Sequence, residues 1–158
     1  MISERLEREQ SDLATTVEWS ALVERVRTGP PAWHPTQITV IDEAMNTLEF
    51  FIHHEDVLRA QPDFTTRALS PEVEKGIWSA LKRMAKVLFR KLDAGLVLAS
   101  PGFGRIAVKA PSKNGSVTVT GGPGELALLA FGRGQVADVD ARGSKSAIRA
   151  LEVAPKGV

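Results

Sequence analysis

The spacing of apolar residues changes once along this chain, near Asp93, and that change limits the folds open to it. Before it, apolar side chains recur at intervals of three and four, the pattern of helices with one buried face. After it, short runs rich in Val, Ile and Thr sit between turns containing glycine and proline, the pattern of short strands. A helical part over 1–92 followed by a mixed part over 93–158 makes an α+β chain. With 158 residues, 43% of them hydrophobic, there is material for one ordinary domain or two small ones around a packed core.

Residues 1 to about 15 are polar and read as a lead-in. Trp19, Leu22, Val23 and Val26 then share a helical face over 18–28. Gly29-Pro30-Pro31 ends that run with a flexible residue and two that cannot continue a helix. After Trp33-His34-Pro35, Thr36 can cap a helix to about Leu58, with Ile41, Met45, Leu48 and Ile52 as its apolar stripe. Gln61 to Arg67 reads as a loop. Ser70-Pro71-Glu72 opens the clearest helix, with a capping hydroxyl, proline in the first turn and acids near the positive end of the helix dipole. Its face is Val73, Ile77, Leu81, Met84 and Leu88.

In the mixed part, Leu96-Val97-Leu98 and Ile106-Ala107-Val108 flank Pro101-Gly102-Phe103-Gly104 and predict a hairpin. Val117 to Thr120 alternates as a third strand, and Val136 to Ala141 reads as a fourth. Between them, Gly121-Gly122-Pro123-Gly124 precedes a helix over Glu125 to Phe131 that Gly132 stops; a last helix runs from about Lys145 to Leu151. The glycine-rich turn can present free N–H groups to a phosphate. It lacks the Lys-Ser/Thr of a P-loop and the spacing of a dinucleotide fingerprint, so a turn that caps the following helix is the better reading.

Twenty basic and nineteen acidic side chains give a net charge of +1, without the basic stripe that nucleic-acid binding requires. There is no cysteine, so disulfides, thiolate metal ligands and a cysteine nucleophile are excluded. The first residues lack the apolar core of a signal peptide, and no stretch approaches ~18 uninterrupted apolar residues. A cytoplasmic protein without membrane partners is expected.

The chemistry concentrates at Glu49-Phe-Phe-Ile-His53, followed by His54-Glu55-Asp56. Residues four apart on a helix lie one above the other, so Glu49 and His53 can offer a carboxylate and an imidazole to one ion. The same spacing also suits a hydrogen bond or ion pair without metal, and the residues alone leave both readings open. Asp42, Asn46, Glu49, His53 and Asp56 share one face; Asn46 and Asp56 can orient the pair through hydrogen bonds. Phe50 and Phe51 flank Glu49 and predict an aromatic setting in which a carboxylate needs a partner. His54 is turned by about 100° and cannot face the same ion. His34, in a loop, reads as a surface or locally hydrogen-bonded residue. Arg133 follows the Phe-Gly turn, where it can contact an anionic substrate or offset a helix dipole.

The stretch Gly29-Pro-Pro-Ala-Trp33, then Asn46-Thr-Leu-Glu-Phe-Phe-Ile-His-His-Glu-Asp-Val57 and Arg59-Ala-Gln-Pro62, resembles an actinobacterial branch of the mycothiol-dependent maleylpyruvate isomerase superfamily. Val117-Thr-Val-Thr-Gly121, Gly124-Glu-Leu126 and Phe131-Gly-Arg133 extend the resemblance into the second half. It implies a DinB-like helical bundle followed by a small α+β domain similar to sterol-carrier folds. It further implies a divalent metal, usually zinc, held by a Glu-x-x-x-His pair matching Glu49 and His53 and by one histidine from an earlier helix. That histidine has no match here, and about two bundle helices lack a counterpart. A 5′-shortened reading of a longer protein, with Met1 internal, is therefore expected. The activity implied is an isomerase or thiol transferase acting on a small molecule with mycothiol; the alternative is a non-catalytic carrier or partner-binding module. With fewer helices, the faces Ile41/Met45/Leu48/Ile52 and Val73/Ile77/Leu81 must be covered within the chain or by a second copy in a homo-oligomer.

Overall fold

A computed structural model of the chain describes residues 39–156 and, before them, Glu18, Ser20, Ala21 and Glu24. The chain divides into two compact units, 1–39 and 40–158. In the first, Ser20, Ala21 and Glu24 are helical, within the helix expected over 18–28. The Gly29-Pro30-Pro31 turn, His34 and the Thr36 cap lie outside the described residues.

The second unit is α+β, with four helices and a four-stranded mixed sheet. Helix α1 spans Thr39–Arg59 and α2 spans Pro71–Leu88. Strands β1 (Gly95–Ser100) and β2 (Gly104–Lys109) form the expected hairpin, antiparallel with Leu98 opposite Ile106. Strand β3 (Ser116–Thr120) runs parallel to β1, placing Val117 beside Leu96 and Val119 beside Leu98. Helix α3 (Pro123–Ala130) follows, then β4 (Asp140–Gly143) antiparallel to β3, and α4 (Lys145–Val153). The strand order is β2-β1-β3-β4.

Leu96, Leu98, Val108, Val117 and Val119 project from one face of the sheet into the core. Alternation along each strand sends every second side chain there. Helix α3 is central: Leu126 to Ala130 are all buried, which matches a segment apolar on every side. Helix α2 covers it and β2 with Ile77, Leu81, Met84 and Leu88, while Val73 stays 45% exposed. Ser70 caps α2 through a Val73 N–H···Oγ bond of 3.4 Å, and Ser144 caps α4 through Ala147 at 3.2 Å. Gly122 occupies the cap position of α3 with Pro123 in the first turn, so the glycine-rich segment is a turn that starts a helix.

Two expectations change. The fourth strand forms over 140–143, because the segment before it is held as a loop: Val136 N–H bonds the Arg133 carbonyl, and the Val136 carbonyl accepts from Arg59. On α1 the buried line runs Ala44, Leu48, Ile52 and then Glu55, with Met45 only partly buried. Of the two apolar faces expected to be covered within the chain or by a second copy, Leu48, Ile52, Ile77 and Leu81 are buried within one chain. Among the described residues, no helix is long and apolar enough to cross a membrane.

Candidate functional site

The last three turns of α1 carry the acids and histidines singled out from the sequence, and the fold divides them into two groups. Glu55, Asp56 and His54 belong to the first, whose members all have protein partners. Glu55 lies at the end of the buried line and is 2% exposed. A buried carboxylate costs several kcal/mol unless it is paired, and two guanidiniums meet this one. Arg59 Nε donates to Glu55 Oε2 at 2.9 Å, and Arg67 donates to Oε1 from Nε at 3.1 Å and from Nη2 at 3.0 Å.

Arg59 extends the network. Its Nη2 donates to Glu125 Oε1 at 2.5 Å, its Nη1 to Glu125 Oε2 at 3.3 Å and to the Val136 carbonyl at 2.5 Å. The guanidinium also lies 5.1 Å from the Phe64 ring centroid, within cation–π reach. Burial works to lower the Arg59 pKa, but its bonds to Glu125 and Glu55 outweigh that and hold it raised. Glu125 further accepts the Asp138 N–H at 2.8 Å, pinning the loop before β4. His54 Nδ1 lies 2.9 Å from Arg67 Nη2.

Asp56 pairs with Arg133, Nε to Oδ1 at 3.1 Å and Nη2 to Oδ2 at 2.6 Å; Arg133 Nη1 also donates to the Phe131 carbonyl at 2.6 Å. The hydrogen bonds from Arg133 hold the Asp56 carboxyl below its ordinary pKa against a smaller opposing effect of burial, with the charges of Arg133 and His53 assisting. Asp56 raises the Arg133 pKa in return. Both Asp56 oxygens are committed to Arg133, so neither orients His53 as expected from the sequence, and Arg133 itself faces an internal carboxylate.

Glu49 and His53 form the second group. They stand one turn apart on α1, Glu49 half-buried and His53 exposed, and neither makes a hydrogen bond or ion pair among the described residues. The i,i+4 pair expected in the absence of metal is therefore not formed. Phe50 is 76% exposed, so the aromatic setting expected around Glu49 does not include it; Phe51 turns inward and packs against the core. Among the described residues, no three His, Cys, Asp or Glu side chains are grouped to hold a metal ion.

The sequence reading missed the Glu55 network. Glu55 and Arg59 stand at the favourable i,i+4 spacing, glutamate first, and that much was legible. Arg67 and Glu125 join only through the fold. Comparison with family models, with curated proteins and with solved structures finds no match for this chain.

Proposed function

We propose that Glu49 and His53 are two ligands of a divalent metal site of the zinc type, on a protein related to mycothiol-dependent isomerases and thiol transferases. In this reading α1 and α2 are part of a DinB-like bundle, and the sheet with α3 and α4 is its sterol-carrier-like companion. The observation that supports it is the division of labour on α1. Every other acid or histidine in its last two turns is taken up by an arginine, while this carboxylate and imidazole, stacked on adjacent turns, make no hydrogen bond or ion pair among the described residues.

Oxygen and nitrogen donors at this spacing suit zinc, which takes three protein ligands and an open position in catalytic sites. The histidine that the resemblance implies as third ligand has no match in this chain, so in this reading a bound thiol supplies the third donor. A metal held there supplies a lowered pKa to a coordinated thiol or water, or polarises a carbonyl. The chain's own part is to hold the two donors in register on one rigid helix, whose end is fixed by the Glu55 and Asp56 ion pairs.

The absence of a third grouped ligand among the described residues favours a second reading, a non-catalytic carrier or partner-binding module. Metal analysis separates the two. Protein expressed in metal-replete medium and dialysed should retain about one equivalent of zinc or cobalt, reduced by Glu49→Gln or His53→Gln and unaffected by His54→Gln. Metal-free wild type, or equal retention by all four proteins, sinks the metal reading.

A further inference from the structure

A cleft of about 400 Å³ opens between the sheet and α4, away from the Glu49 and His53 pair. Val119, Val139, Ala141, Ile148 and Leu151 give it apolar walls, and Lys156 stands at its edge. Ligand pockets span roughly 300–1,000 Å³ and pair apolar walls with a few polar groups that fix orientation, so both size and lining are those of a small-molecule site.

The polar edge is unbalanced. Lys156 is half-buried and makes no hydrogen bond or ion pair among the described residues. Burial lowers its pKa, and the nearby Glu152 charge offsets this only in part. Glu152 is exposed and also lines the cleft, yet it does not close on the ammonium. Elsewhere in the chain, partly buried cations such as Arg59 and Arg133 have carboxylate partners.

We propose that this cleft binds a small carboxylic acid with an apolar body, the hydrocarbon lying along Val119, Ala141 and Ile148 and the carboxylate meeting Lys156. A single unpaired ammonium suits a singly charged head; a phosphate would call for a second cation. Besides Lys156, the polar side chains that line the cleft are Gln135 and Glu152, and the rest of the lining is left to hydrocarbon. Nothing in the site depends on a metal at Glu49 and His53.

The test uses the full chain with sodium octanoate and with 1-octanol, followed by ¹H–¹⁵N NMR and calorimetry. Octanoate should bind saturably and shift the signals of Ala141, Ile148 and Lys156. Lys156→Met should weaken octanoate by about tenfold, the worth of one charge-assisted hydrogen bond, and leave octanol affinity unchanged. Ala141→Phe, which fills the cleft, should abolish binding of both while keeping the wild-type unfolding midpoint. A lowered midpoint calls for Ile148→Trp in its place, with the same expected loss. Octanoate that fails to saturate, that shifts residues elsewhere, or that binds Lys156→Met as tightly as wild type overturns the proposal.

Discussion

Arg133 grips Asp56 with both arms of its guanidinium, at 3.1 and 2.6 Å, joining residues 77 apart in the chain. Arg59, three residues beyond Asp56, makes the matching contact to Glu125. Glu125 lies in the first turn of α3 and Arg133 just past its last, so the two pairs fasten the end of α1 to both ends of α3. Each α3-side charge has the sign its helix end prefers, an acid by the free N–H groups and a base by the free carbonyls. The clamp therefore fixes the helix that carries Glu49 and His53.

The Asp56 half of the clamp should fail in acid. Arg133 holds the folded-state pKa of Asp56 below the unfolded value, so the pair stabilises the fold above the ordinary aspartate pKa of about 3.9 and the contribution is lost as pH falls through the folded value. Both side chains are 36% exposed, and solvent screening keeps the effect near 0.5–1 kcal/mol. Urea unfolding of wild type and Asp56→Asn should differ by about that amount at pH 6, and the gap should close progressively below about pH 4. A gap that is the same at pH 6 and pH 3 would show that Asp56 acts by shape alone.

Arg59 should matter more than any other single charge. Its side chain is 8% exposed and its partners Glu55 and Glu125 are 3% and 15% exposed. Arg59→Met leaves Glu125 with the Asp138 N–H and Glu55 with Arg67, so a loss on the order of 3 kcal/mol is expected. Adding Glu125→Gln should restore part of that loss, because the second charge then no longer lacks its counter-ion. A double-mutant cycle in guanidinium chloride reads the coupling, and additive losses would contradict the network.

Local spacing made α2 with its capped start, the hairpin and the run of α4 legible, because each depends on neighbours within a few residues. The core line of α1 was not. An apolar stripe through Met45 and an acid stripe through Asp56 satisfy helical periodicity as well as the observed line does, and only the arginines at 59 and 67 make burial of Glu55 tolerable. The β4 boundary shifted for a similar reason: Val136 to Val139 has strand-like composition, but its backbone is claimed by Arg59 and Glu125. At the candidate site, spacing placed Glu49 and His53 together and could not show that Asp56 and Arg133 would satisfy one another.

The β3–β4 pairing rests on a close approach that only glycine allows. Gly143 lies opposite Val117, and a Cβ there would press on the Ser116 carbonyl oxygen and come within 2.8 Å of Val117 Cα. Both are backbone atoms of a paired strand, so relief requires moving β4 or losing the Ser144 N–H bond to Ser116 at 3.2 Å. Gly143→Ala should then cost about 2–3 kcal/mol, an overpacking penalty at the high end of its usual range. Amide exchange at Val119 and Ala141 should accelerate while α1 and α2 stay protected. Gly76→Ala supplies the control: it is exposed in the middle of α2 with nothing within 4 Å of the added carbon, and should stabilise by about 0.5–1 kcal/mol through helix propensity. If both substitutions shifted the unfolding midpoint in the same direction, crowding at the β3–β4 contact would not be the cause.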